Sequence, residues 1–307
     1  MIELAGVGKR FGEIEALRDV TMEVNKGSVF GLVGSNGAGK TTLLKILSGI
    51  YRQDLGQVRI DSQNVYENNR VKERTFFIPD YLYFFHNYTI DNMAQFYRSV
   101  YKTWDQERYV KLSGVFDLDA HRRIKTLSKG MQRQVAFWLG LSLAPDVMIL
   151  DEPLDGLDPV MRHKVKNLIF QDVAGRQMTV MISSHNLREL EGICDYVGIL
   201  HRGSMLVQKE MDDLKADLNK VQIGFSDGIP EGLLRGIQIL HQEQRGRVLI
   251  LVARGDREEL ISQLQAFQPS ILDVLPLTLE EIFIYEMGDN GYEIKNVLNN
   301  MRSECGA

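Results

Sequence analysis

Apolar residues gather in two short runs, Val29 to Val33 and Val147 to Leu150, each of the length that a fully buried strand requires. The first leads into a glycine-rich stretch, Gly34 to Gly39, after which Thr41 to Ser48 carries its apolar residues at helical spacing. Residues 1 to 80 otherwise alternate β-branched runs with turn signals, which predicts a strand-rich segment. From Tyr81 to Ala144 strand signals vanish, aromatic and charged residues mix at helical spacing, and a helical insertion over about residues 82–144 is expected. Beyond it, a helix from Val160 to Val173 separates the Val147 strand from another at Thr179 to Ser183. Val197–Leu200 and Ser204–Val207, around the turn at Arg202-Gly203, read as a closing hairpin.

A smaller unit is expected after residue 214. Val221–Phe225, Ile237–Leu240, Arg247–Val252 and Ile271–Leu275 are strand candidates, and Asp256 with Glu259 and Thr278 with Glu281 have capping-box spacing. The expected domains are therefore 1–214, a small α+β domain at 215–287 and a polar tail at 288–307.

Composition narrows the function classes. Of the 307 residues, 44% are hydrophobic and 25% charged, ordinary values for a globular chain. A net charge of -5 gives no electrostatic footprint for nucleic acid, and none is expected as a partner. The two cysteines, Cys194 and Cys305, stand in no metal-ligand or redox spacing, so a reducing cytoplasmic setting is the simplest reading. The N-terminal MIELAGVGKRFGE lacks the apolar core of a signal peptide, and the longest apolar run, Val135 to Ala144, ends at Pro145-Asp146. That is short of the ~20 apolar residues that span a bilayer, so the chain is not expected to cross a membrane by itself.

The candidate chemistry begins at Gly34-Ser35-Asn36-Gly37-Ala38-Gly39-Lys40-Thr41, which fits G-x-x-x-x-G-K-[ST]. Glycines let successive backbone N–H groups turn inward onto phosphate oxygens, and the following helix adds its positive end. These residues and Thr42 are the expected nucleotide contacts, with Lys40 reaching the β- and γ-phosphates and the Thr41 hydroxyl ligating Mg²⁺. Asp151, at the end of the Val147–Leu150 strand, suits a magnesium role, and Glu152 could polarise an attacking water. Two acids at a strand end are common in isolation; the P-loop upstream is what gives them this meaning.

Leu127-Ser128-Lys129-Gly130-Met131-Gln132, shortly before that strand, resembles the L-S-G-G-Q signature of ABC ATPases. Gly156-Leu157-Asp158 matches the family's D-loop, and His185, after Ile182-Ser183-Ser184, its switch histidine. The resemblance covers about residues 1 to 210. It implies a P-loop NTPase core of ABC ATPase type, an α/β fold with a helical subdomain insertion and a small C-terminal α+β domain. It also implies that two such domains pair head to tail, with ATP between the P-loop of one and Ser128 and Gly130 of the other, and that His185 bonds the γ-phosphate. Phe11, 29 residues before Lys40 (40 − 11), occupies the place of an adenine-stacking aromatic, an ordinary core phenylalanine being the equal alternative.

One position departs from the family. The junction before the helical subdomain, Phe76-Phe77-Ile78-Pro79-Asp80, carries Asp80 where glutamine is usual, and Asp80 would meet the metal as an anion. Tyr81, Tyr83, Phe84, Phe85 and Tyr88 follow as an aromatic cluster, at the groove that in the family receives a helix of the membrane partner. The segment Leu275-Pro276-Leu277-Thr278-Leu279-Glu280-Glu281-Ile282-Phe283 resembles the C-terminal extension of ABC-2-type exporter ATPases. The resemblance thus implies an ATPase peripheral to the cytoplasmic membrane face, with a separate transmembrane permease subunit and a second ATPase subunit, identical or not, as partners. A soluble non-transport ABC ATPase is the alternative. It is disfavoured because the chain has one P-loop and no coiled-coil heptads, and a module that has lost catalysis is disfavoured by Lys40, Asp151, Glu152 and His185.

Overall fold

The computed structural model describes residues 1–216, 218–226 and 228–289. They form two compact units, Met1–Gln208 and a second that begins at Lys209.

The first unit opens with β1 (Ile2–Phe11) and β2 (Ile14–Val24), an antiparallel pair. β3 (Val29–Val33), buried along its whole length, leads through the glycine-rich loop into α1 (Lys40–Leu47). β4 (Leu55–Ile60) pairs back onto β1 and β5 (Gln63–Asn64) onto β4, completing an antiparallel sheet in the order β2-β1-β4-β5. α2 (Asn69–Lys72), capped by the Asn68 side chain, turns the chain into β6 (Thr75–Ile78).

The expected helical insertion follows as α3 (Ile90–Val100), α4 (Gln106–Phe116) and α5 (Lys129–Ser142). Thr89 and Asn92 form a reciprocal capping box on α3, and Asp105 and Ser128 cap the other two helices. Trp138 of α5 is fully buried, stacks on Tyr109 of α4 at 4.8 Å between ring centroids, and donates its indole N–H to the Tyr109 carbonyl at 2.9 Å. Gly140 faces Phe76 of β6; a Cβ there would lie 2.4 Å from the ring, so only glycine lets α5 approach this strand so closely.

The chain then returns through β7 (Val147–Asp151), α6 (Pro159–Arg176), β8 (Thr179–Ser184), α7 (Leu187–Leu190), β9 (Tyr196–His201) and β10 (Ser204–Glu210). A six-stranded sheet results, in the order β10-β9-β3-β8-β7-β6, parallel from β9 to β6. Leu43, Leu44, Ile46 and Leu47 of α1 share one core with Ile2, Leu4 and Val20 of the antiparallel sheet and Phe30, Leu32 and Ile149 of the parallel one. The register pairs Val33 with Ser184 and Asp151 with Ser183, so the carboxyl ends of β3, β7 and β8 finish at one level. In open parallel sheets that edge is where ligands bind.

The second unit holds α8 (Met211–Ala216), β11 (Leu218–Gly224), β12 (Gln238–Arg245), β13 (Val248–Arg254), α9 (Arg257–Gln265), β14 (Ile271–Leu275) and α10 (Leu279–Asp289). Its antiparallel sheet, ordered β12-β13-β11-β14, buries Val221, Ile223, Leu251, Leu260 and Leu264 in a core of its own. Asp256 caps α9, and Thr278 and Glu281 exchange the two bonds of a capping box. β12 extends five residues past Leu240, because its polar half, His241 to Arg245, pairs with β13 while staying largely exposed. The division at Gln208/Lys209 falls within β10 and places α8 in the second unit. From residue 290 on, the expected polar tail, including Cys305, lies outside the described residues.

Candidate active site

The loops after β3, β7 and β8 build one site. In the first, Gly34 passes so close to β9 that a Cβ would sit 2.3 Å from the Leu200 carbonyl oxygen, and Gly39 turns the chain at φ 107°. Gly39 starts α1 with no side-chain cap, so the first-turn amides of Lys40, Thr41 and Thr42 have no side-chain oxygen across them. A helix start of this kind is suited to an anion. The buried Lys40 amine donates to the Gly34 carbonyl at 2.7 Å and to that of Ser35 at 3.4 Å. It also stands 3.6 Å from Glu152 Oε1. Ser35, Asn36 and Gly37 form the outer rim of the loop, with Ala38 packed inward.

Asp151 ends β7 and is 1% exposed. Its Oδ1 accepts from the Ser183 hydroxyl at 2.7 Å, while Oδ2 is buried with no hydrogen-bond partner. A buried carboxylate oxygen without a donor is costly, and a divalent cation or its water is the partner whose chemistry answers it. Ser183 Oγ also accepts the Glu152 N–H at 3.1 Å, which holds Glu152 at φ 47°, a backbone region that non-glycine residues rarely adopt. Strain of this sort collects at functional sites.

From that position Glu152 spans the site. Oε1 faces Lys40, and Oε2 lies 2.9 Å from His185 Nδ1 while accepting the His185 backbone N–H at 3.2 Å. Burial opposes charge on His185, but the Glu152 carboxylate, with Asp155 adding to it, outweighs burial and holds the imidazole above its ordinary range. The ligand-capable atoms of Glu152, Asp155 and His185 lie within 4.8 Å of one another.

Behind this triad, Asp158 accepts the Val160 and Met161 N–H groups and Pro159 occupies the first turn of α6, a strong helix start. Arg162 of α6 reaches the Leu157 carbonyl at 3.4 Å and Glu189 of α7 at 3.2 Å, and Glu189 accepts from the Ser184 hydroxyl at 3.4 Å. The loops carrying Asp158 and His185 are therefore tied to each other.

The remaining expected residues are distributed around this centre. Ser128 is exposed and caps α5 by accepting the Met131 N–H at 3.2 Å. Gly130 abuts Gly156; a Cβ at Gly130 would lie 2.4 Å from the Gly156 carbonyl oxygen. Phe11 is 42% exposed, with Tyr51 edge-on at 5.4 Å and the Lys9 amine 5.3 Å over its ring, so it is a surface aromatic rather than a core one. Asp80, expected near the metal, has Arg133 of α5 as its charged partner, with the guanidinium 3.4 Å from Oδ1. Arg133, Asp155 and Tyr51 carried no motif that could have announced them, and Ser183 stood only in the run that leads to His185.

A family model described as ABC transporter matches residues 17–155. The chain is 31% identical to the ABC transporter ATP-binding protein YtrB of Bacillus subtilis (strain 168), over 94% of this chain and 98% of that one. This chain belongs to the ABC transporter ATP-binding proteins. As such it binds and hydrolyses ATP. It is also 29% identical to the bacitracin transport ATP-binding protein BcrA of Bacillus licheniformis, over 92% of this chain and 94% of that one. A solved ATP-binding subunit of an ABC transporter superposes with a TM-score of 0.66 at 25% identity, covering 70% of this ABC protein and 92% of that chain. A dimeric ATP-binding cassette solved with ADP and phosphate, 21% identical, shares the fold at a TM-score of 0.63 over 69% of this chain and 99% of the other. Among the described residues, no helix of this ABC subunit is long and apolar enough to cross a membrane.

Proposed function

We propose that this chain is the ATPase subunit of an exporter, peripheral to the cytoplasmic membrane face, and drives a separate transmembrane permease by pairing head to tail with a second ATPase subunit. The single observation that carries the catalytic part is Glu152 held between Lys40 and His185 beside the buried Asp151. Lys40 and the first-turn amides of α1 bind the phosphates, and Phe11 offers its exposed face to adenine. Glu152 takes a proton from the water that attacks the γ-phosphorus as the bond to the β-phosphate oxygen breaks, and His185 fixes the orientation of Glu152. Thr41 and Asp151 are the residues that would hold magnesium, which when bound neutralises phosphate charge.

Pairing is supported by Ser128 and Gly130. Ser128 caps an exposed helix start and Gly130 lies in its first turn, and an anion from a second subunit's site would suit it. Tyr81 and Tyr83, 89% and 77% exposed on the rim of a groove of about 640 Å³, support docking of a permease helix. The export reading draws on relatives named for bacitracin transport and linearmycin resistance. Tagged chain should co-purify with a polytopic membrane protein from detergent-solubilised membranes of its host. Co-purification with soluble assemblies alone would favour a non-transport ABC ATPase instead.

A further inference from the structure

Arg133 lies in the second turn of α5, a helix that buries mostly apolar surface, yet its side chain is only 9% exposed. All three of its hydrogen bonds go to two consecutive residues of the junction loop: the Pro79 carbonyl at 3.3 Å, the Asp80 carbonyl at 3.1 Å and Asp80 Oδ1 at 3.4 Å. Burying a guanidinium costs free energy unless its charge and its donors are both answered, and here the junction loop answers both. The loop's position is specific. β6 pairs Ile78 with Leu150 of β7, so Pro79 and Asp80 leave the sheet alongside Asp151 and Glu152. At the other end of the link, Ser128 starts α5 five residues before Arg133, about 7.5 Å along the helix. α5 is thus fastened to the β6 segment twice, by Gly140 against Phe76 and by Arg133 on Asp80.

We propose that Asp80 is a positioning residue rather than a metal ligand. With Arg133 it forms a charged clasp that sets the signature residues Ser128 and Gly130 relative to the carboxyl edge of the catalytic sheet. The inference rests on the assignment of Ser128 and Gly130 to the nucleotide face. An anion at position 80 is then explained by its buried cation: Arg133 neutralises Asp80 locally, and the charge of the metal site is left to Asp151.

The test is a double-mutant cycle on the full chain, with Asp80→Asn, Arg133→Gln and the pair combined. Turnover is read by phosphate release, and metal affinity separately by Mn²⁺ titration of the ATP complex. Both single variants should lose about tenfold in turnover, within the range of contacting charged pairs, and the double should lose no more than either single. The Mn²⁺ midpoint should be the same in all four proteins. A weakened midpoint in Asp80→Asn alone would make Asp80 a metal ligand and overturn the clasp. Additive losses, or singles with wild-type turnover, would overturn it as well. Asp80→Asn keeps side-chain size and an acceptor oxygen, so its metal and turnover readings stand even if Arg133→Gln fails to fold. A parent chain without ATP hydrolysis would instead count against the catalytic assignment of Glu152.

Discussion

One carboxylate oxygen, Glu152 Oε2, fixes both the ring and the main chain of His185, meeting Nδ1 at 2.9 Å and the backbone N–H at 3.2 Å. Burial alone would lower the His185 pKa, but the Glu152 charge and bond outweigh it and raise the value above the ordinary 6.5. A folded-state pKa raised in this way stabilises the protein fully below the unfolded value and loses that contribution as pH rises through the folded one. Glu152→Gln should therefore lower the His185 pKa in the nucleotide-free protein and flatten the dependence of stability on pH above the ordinary histidine value. NMR titration of the His185 imidazole reads this directly. An unchanged titration would remove the contact from the account.

Lys40→Ala should weaken ATP binding by at least about tenfold, the effect expected on losing a charge-assisted hydrogen bond of about 1.5–3 kcal/mol. The melting temperature should move little, since among the described residues the amine's hydrogen bonds go to its own loop and it faces Glu152 from 3.6 Å. A fluorescent-nucleotide titration with a thermal melt separates binding from folding. Unchanged affinity would show that Lys40 does not reach the phosphates.

The aromatic cluster divides by burial. Tyr81 and Tyr83 are exposed, whereas Phe84 is 5% exposed and belongs to the core. Tyr81→Ala with Tyr83→Ala should weaken attachment to the membrane partner while leaving the melt and basal hydrolysis near the parent's. Phe84→Ala should instead cost about 3–5 kcal/mol of stability. If the double tyrosine variant binds the permease normally, the groove is not the docking surface.

Much of the site could be read before folding because its residues sit at the ends of signals that are themselves local. Val29–Val33 and Val147–Leu150 are fully apolar, so Gly34 and Asp151 mark strand ends without any tertiary information. What stayed hidden depends on residues far apart in the chain. Ser183 reaches Asp151 from 32 positions away, and Arg133 reaches Asp80 from 53, with no period or spacing linking either pair. Strand β12 was legible only in its apolar half, because His241 to Arg245 are held by ladder bonds to β13 rather than by burial. The exposure of Tyr83 against the burial of Phe84 likewise follows from which neighbour faces the core, and composition is blind to that.

The catalytic and pairing assignments meet in Glu152→Gln. The amide keeps the size of the side chain and an oxygen for the His185 N–H, but it cannot accept a proton from water. A general base contributes ~10²–10⁴-fold to rate, so hydrolysis should fall by at least about two orders of magnitude. Binding should persist, because Lys40, Asp151 and the α1 amides are untouched. ATP that is held but not cleaved should keep the P-loop of one subunit against Ser128 of another. Sedimentation should then detect a dimer with ATP and a monomer with ADP. Ser128 is exposed at the start of α5, so Ser128→Arg added to Glu152→Gln should abolish that dimer without disturbing the buried core. Normal hydrolysis in the single variant would end the catalytic-base assignment. An ATP-bound protein that stays monomeric at high concentration would mean that its partner is a different ATPase chain, and mixing with that chain should restore the sandwich.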